Sequence, residues 1–384
     1  MKEDTKIAVI YYPAKSLGPY KFLTDMMYIL EPISGSIVLI GGQTNRITYI
    51  PENAKVEDIG ITMYYTNEMQ PSFFSALFRI ISCIPVQVLT SCKLIQNRKN
   101  VDIVLFYMAY PYFLLPLLAA KLLNIKTVEV ITRSKSKTLI GRVIDAIYFR
   151  LLDGISPESD ALVREHDLYR WSDKILPKGA RYISSRYRVI KPYSERKKII
   201  GFVSRLSKAK GVIQFLDAIP EISKIDNTIE YIIAGTGDLL DYVTLESNKL
   251  SKKYNIKITV TGFIDESDFP NYLNELSLLI LPTSHSEGLP TIILEAMACG
   301  TPVLTKNVGA ISDVIIDSET GFIMNDTSPK GIASDVARIM ESSHIERIIA
   351  NANSLIEDKY RFQSALDRWE NIIRVITQYK THDI

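Results

Sequence analysis

The sequence predicts an α/β chain built from two doubly wound, Rossmann-like domains. Three observations carry that prediction. Short apolar runs of strand type alternate with stretches of helical period along most of the chain. With 384 residues, 47% of them hydrophobic, there is enough material for two separate cores. A polar, basic, aperiodic segment at 182–197 divides two such alternating series. The domains are therefore read as 1–190 and 191–360, with 361–384 a closing helix.

In the first series, 6–12 is a β-type run, a loop through Gly18-Pro19 follows, and a helix runs over about 20–30 before a strand at 36–41. Residues 42–70 are irregular apart from a strand candidate at 59–65. Next, Phe73, Phe74, Leu77, Phe78 and Ile81 make a wide apolar stripe, with Arg79, Lys93, Arg98 and Lys99 nearby. Such a helix either faces a core or lies in the plane of a membrane surface. Strands at 101–106 and 127–132 enclose a helix at 112–123. The stretch 103–120 is uncharged and just reaches membrane-crossing length, but Pro111 and Pro116 make it a strand, a turn and a core helix. Arg133 and Lys135 follow in a basic loop. A short strand at 153–156, a helix cap at Ser159 and Asp160, and a strand and turn at 174–180 close the series.

The second series opens with a strand at 198–203 that runs into Ser204 to Gly211, then a helix through Val212, Phe215 and Leu216. Arg205 and Lys210 straddle that loop, and two cations there can clamp a diphosphate and offset charge on a departing nucleotide. A strand at 229–234 ends in Gly235-Thr236-Gly237-Asp238, and ligands gather at the carboxyl ends of such strands. Another strand at 256–261 leads to Gly262-Phe263.

The densest stretch follows a buried-type strand at 276–281. A polar loop carries His285 and Glu287, and Pro290 suits the first turn of a helix that Gly300 stops. Ile292, Ile293, Ala296 and Met297 form its apolar face. Glu295 shares the opposite face with Thr291. Backbone N–H groups at Gly288, Leu289 and Thr291, with the positive dipole end, make a seat for phosphate. Carboxylates on either side accept hydrogen bonds from hydroxyls. Phosphate flanked by hydroxyls describes a nucleotide sugar. Beyond the strand at 301–305, a helix is expected to start at Ser312-Asp313. From about 360, Phe362, Leu366, Trp369, Ile372, Ile373 and Val375 follow a helical pattern.

Charge is balanced overall at +2, but residues 1–191 carry 25 Lys and Arg against 17 Asp and Glu, and the remainder 20 against 26. A basic first half is expected to face an anionic partner. The chain shows no tight basic run interleaved with aromatics, so anionic lipid or a phosphate-linked acceptor fits better than nucleic acid. Cys83, Cys92 and Cys299 lack metal-type spacing and are read as buried free thiols in a reducing compartment. The four histidines are scattered, and no metal or other cofactor is called for. The amino terminus has no signal-peptide profile, which points to a cytoplasmic protein, peripheral on the inner face of the plasma membrane.

The run Glu287-Gly288-Leu289-Pro290-Thr291-Ile292-Ile293-Leu294-Glu295-Ala296-Met297-Ala298-Cys299-Gly300-Thr301-Pro302-Val303 closely resembles the signature of retaining family-4 glycosyltransferases of the GT-B fold. Gly201 to Leu206 with Lys210-Gly211 resembles a second element of that family, and Pro177-Lys178-Gly179 the turn that closes its first domain. The resemblance implies two Rossmann-like domains facing across a cleft, the second holding the donor, the first presenting the acceptor, and the last helix crossing back to the first. It implies that Glu287 meets the transferred sugar, Glu295 the ribose, Phe263 the base, and Gly18 the donor phosphates and the acceptor; His285, one residue before Ser286, is placed to touch the donor sugar. Where many relatives place a histidine, this chain has the loop of Arg133 and Lys135 instead. The expected reaction moves a hexose-type sugar from a UDP or GDP sugar to a hydroxyl of a glycan or lipid-linked acceptor, with retention and without a metal. Two other readings compete: a sugar-nucleotide epimerase on the same fold, which has no need of paired glutamates in this form, and a non-catalytic sugar-nucleotide-binding scaffold.

Overall fold

The computed structural model describes residues 5–11, 18–61, 83–107, 113–132, 139–178, 181–284 and 289–378. Contacts divide the chain into two compact units, one of 1–182 with 362–384 and the other Ile183–Arg361.

The first unit holds a six-stranded parallel sheet. Its elements in order are β1 (Lys6–Tyr11), α1 (Gly18–Leu30), β2 (Ser36–Gly41), β3 (Ala54–Asp58), α2 (Ile84–Gln96), β4 (Ile103–Tyr107), α3 (Leu114–Leu122), β5 (Lys126–Ile131), α4 (Leu139–Leu151), β6 (Gly154–Pro157) and α5 (Asp160–His166). The strand order is β3-β2-β1-β4-β5-β6, so the chain steps left from β1 and then right from β4. Right-handed crossovers therefore put α1 on one face and α2, α3 and α4 side by side on the other. Two apolar clusters match that division. One joins Val86, Leu94, Leu117, Tyr148 and Phe149 to the sheet, the other Leu23, Met27 and Trp369. Central strands such as Ile103–Tyr107 are buried on both faces and read as unbroken apolar runs.

The edge strand lies before the expected 59–65, of which 59–61 carry no strand and 62–65 lie outside the described residues. It is Ala54–Asp58, which pairs with β2 from Ala54↔Ile37 to Asp58↔Gly41. An edge strand needs no apolar alternation when its charges find partners. Glu57 pairs with Lys55 at 2.6 Å and Lys93 at 2.9 Å and accepts from Asn97 at 3.1 Å. Lys55 above all, then Lys93 and Asn97, hold its carboxyl down at about 2.

The second unit repeats the plan with β7 (Ile199–Val203), α6 (Val212–Ile225), β8 (Glu230–Ala234), α7 (Leu240–Tyr254), β9 (Ile258–Gly262), α8 (Phe269–Glu275), β10 (Leu278–Leu281), α9 (Thr291–Ala298), β11 (Val303–Thr305), β12 (Phe322–Ile323), α10 (Pro329–Met340) and α11 (Ile345–Lys359). Its parallel sheet runs β12-β11-β10-β7-β8-β9. The helix start expected at Ser312-Asp313 is instead the end of a short 3-10 turn, Gly309–Asp313. The closing helix α12 (Phe362–Gln378) belongs to the first unit, where Trp369, Ile372 and Ile376 are buried with α1 and the sheet.

Residues 183–197 lie with the second unit rather than between the two, so the division falls at Tyr182/Ile183 and not near 190. Side chains hold this segment in place. Asn274 accepts from Ile190 N at 2.8 Å and donates to Arg188 O at 3.0 Å. Arg196 donates to Leu276 O, Thr301 Oγ1 and Cys299 O at 2.7–3.0 Å. A permanently charged fork with several carbonyl acceptors is a strong clamp.

Candidate functional site

The switch point of the second sheet lies between β7 and β10, where successive crossovers leave in opposite directions. In open α/β sheets that crevice, at the carboxyl ends of the strands, is where ligands bind. Three features build it. The loop after β7 carries Arg205, exposed and without an ion-pair partner among the described residues, and Lys210, almost wholly buried at the end of a 3-10 turn. The loop after β10 is tied to it: Ser284 N and Thr283 Oγ1 donate to Ala209 O at 3.1 and 3.2 Å. Gly211, at φ +82°, sits so close to Pro282 that a Cβ would come within 2.3 Å of its carbonyl oxygen. Only glycine fits there.

The loop after β8 joins from the other side. Leu206 N donates to Thr236 O at 2.8 Å and Leu239 N to Leu206 O at 3.1 Å. Gly235 has φ +132°, and a Cβ there would lie 1.9 Å from Ser204 O. Its own N–H donates to Gly262 O at 2.7 Å, which draws in the turn after β9. Phe263 in that turn is 74% exposed, so it is no part of a core and presents an open ring at the sheet's edge.

Helix α9 begins at Thr291 after Pro290, whose extended φ/ψ of −65°/122° makes it the N-cap residue rather than a residue of the first turn. Pro290 has no side chain that can cap this end. Leu289 is buried and Thr291 half-buried. The helix is enclosed on almost every side: Ile293 through Cys299 are all buried, so Glu295 does not sit on a solvated face opposite the isoleucines. It is only 5% exposed.

Two groups from the segment 183–197 lie near the Glu295 carboxyl. The Tyr187 hydroxyl lies within its reach, without a well-aligned hydrogen bond, and Arg186 is close enough to feel its charge. Burial first, then Glu295, pushes the Tyr187 phenol far up. Burial and then Glu295 likewise raise the Cys299 thiol to about 12. Tyr187 and Arg186 were not found by sequence reasoning. Nothing but an aromatic beside a basic residue in an aperiodic stretch marked them.

The structure thus brings Arg205, Lys210, Gly235, Phe263, Leu289, Thr291 and Glu295 onto loops and a helix around one sheet edge. Gly18 is in the first unit, as the first residue of α1. Glu287, Gly288, His285, Arg133 and Lys135 lie outside the described residues, as do Phe73, Phe74 and Phe78.

Residues 184–355, nearly all of the second unit, match the family model for glycosyl transferases group 1. The chain is 27% identical over 179 residues to alpha-D-kanosaminyltransferase of Streptomyces kanamyceticus, covering 46% of each protein. It is 24% identical over 296 residues to N-acetyl-alpha-D-glucosaminyl L-malate synthase of Bacillus anthracis, covering 72% of this chain and 76% of that one. That match apart, the chain spans about half the length of the first curated relatives it matches. Anabaena HepE, solved with UDP and glucose, has a TM-score of 0.70 at 16% identity over 98% of this chain and 100% of that chain. This last likeness is one of fold. Nearly all of the second unit is thus similar to that class of transferase.

Proposed function

We propose that this chain is a retaining glycosyltransferase. It moves a hexose-type sugar from a UDP or GDP sugar to a hydroxyl of a glycan or lipid-linked acceptor, in surface polysaccharide or glycoconjugate synthesis. The observation that carries the reading is the crevice between β7 and β10, where the Arg205–Lys210 loop, the Gly235 loop and the N-terminus of α9 meet within residues that match the group 1 model. The names of the relatives, and the UDP and glucose bound by HepE, support the donor class.

In this reading Arg205 and Lys210, with N–H groups from Gly288, Leu289 and Thr291, hold the diphosphate. Their charge offsets that which develops as the nucleotide leaves, so no metal is required. Glu287 accepts from hydroxyls of the transferred sugar, with His285 beside it. Glu295 accepts from the ribose hydroxyls. Phe263 offers its exposed ring to the base. No protein nucleophile takes part: the acceptor hydroxyl attacks the face from which the nucleotide departs.

The test is transfer from a panel of UDP and GDP sugars to an alkyl or lipid hydroxyl acceptor, with the product anomer read by NMR. Arg205→Ala should lower kcat about a hundredfold and weaken donor binding about tenfold, because its charge meets the diphosphate in the ground state and more strongly as the nucleotide leaves. Glu295→Ala should raise donor KM about tenfold, the loss of a hydrogen bond to a charged group. Product of inverted configuration, or variants indistinguishable from the parent, would overturn the assignment.

A further inference from the structure

Helices α2, α3 and α4 lie side by side on one face of the first unit's sheet, and their outward sides are apolar where outward sides are normally polar. In α2, Val86, Thr90 and Leu94 point into the core, while Ile84 and Val88 lie on the opposite side and are exposed. In α3, Leu117 and Ala120 are buried, whereas Leu115, Leu118 and Leu122 form an exposed row, Leu122 at 88%. In α4, Tyr148 and Phe149 face the sheet, and Val143 and Ile147 face out. The outward side of α11 in the second unit differs, with Glu346 and Arg347 exposed.

The charges on this layer have one sign. Lys93 and Lys121 are ion-paired with Glu57 and Asp153, and the one acid of the three helices, Asp145, is buried, which leaves Arg142 and Arg150 as their exposed charges. Arg142 and Arg150 are exposed beside the α4 row, and Arg98 and Lys99 are exposed just past α2. Exposed apolar rows on one helical layer, with cations beside them, mark an interaction site. Its charge complements an anionic surface rather than a second copy of itself, which would set like charges against each other.

We infer that the outward face of α2, α3 and α4 docks on an anionic lipid bilayer, with Leu118, Leu122, Val143 and Ile147 entering the headgroup boundary and Arg142 and Arg150 meeting lipid phosphate. The protein lies on the bilayer by this face. No described helix is long and apolar enough to cross one. The inference uses no residue of the donor site and stands apart from the choice of donor.

Flotation of the full chain with vesicles tests it, using phosphatidylcholine alone and phosphatidylcholine with one part in three phosphatidylglycerol. The parent should float with the anionic vesicles and lose binding as salt rises. Arg142→Gln should weaken partition about fivefold at low salt, and Leu122→Glu at least about tenfold. Both side chains are exposed, and circular dichroism confirms that each variant keeps the fold. A parent that floats with neither vesicle, or a Leu122→Glu variant that floats like the parent, overturns the inference. So does a parent dimer on gel filtration that Leu122→Glu converts to monomer, for then a second copy covers the face.

Discussion

At the scale of single residues, surroundings decide chemistry. Cys92 was expected to be buried with the other cysteines, but it is exposed on α2, while Cys83 and Cys299 are buried. The helical spacing of Cys92 relative to Ile84 and Val88 places it on the outward side, a position that composition alone does not reveal. Ellman's reagent should therefore titrate one thiol per chain quickly in the native protein and all three only in denaturant. Rapid reaction of a second thiol would contradict the burial of Cys299, whose raised pKa keeps it a protonated, unreactive thiol at neutral pH. The carboxylate of Glu295 was legible from its spacing to Thr291 along a helix. Its burial was not, and neither were its neighbours Tyr187 and Arg186, which are more than a hundred residues away in sequence and carry no periodic signal.

At the scale of elements, strands and helices followed from period, and the loops between them followed less well. The strands β1, β2, β4, β7, β8 and β10 are apolar runs bounded by turn residues, and each lies within a residue or two of its expected place. The edge strand β3 was missed because its Lys and Glu find partners across the surface instead of a core. Its neighbour α2 was missed because apolar residues on both sides erase the helical period. The glycine loops were legible as loops, but not the reason for their glycines. Gly235 approaches Ser204 O so closely, and at a φ so unfavourable for other residues, that Gly235→Ala should destabilise the second unit by about 3 kcal/mol. Urea denaturation followed by a probe in that unit reads the change. Gly262, at φ +69° with open space around the Cβ position, should lose much less, about 1 kcal/mol, on the same substitution. Equal losses at the two positions would mean that close approach of the backbones plays no part.

For the molecule as a whole, two parallel sheets with matching strand orders account for the alternation seen along the sequence. The sharper division of labour lies in charge and surface. The basic first unit carries the apolar face argued above to meet lipid, and the acidic second unit concentrates Arg205 and Lys210 at the switch point of its sheet. A fold of this kind hosts many activities, so the functional claim rests on that crevice and not on the architecture. Isothermal titration of UDP and GDP, each with and without an attached sugar, into the parent and into Arg205→Ala tests the claim directly. The account predicts saturable binding of one nucleotide in preference to the other, weakened about tenfold or more in the variant, as expected when a charge-assisted contact to phosphate is removed. Binding of neither nucleotide, or binding that the variant leaves unchanged, would contradict it.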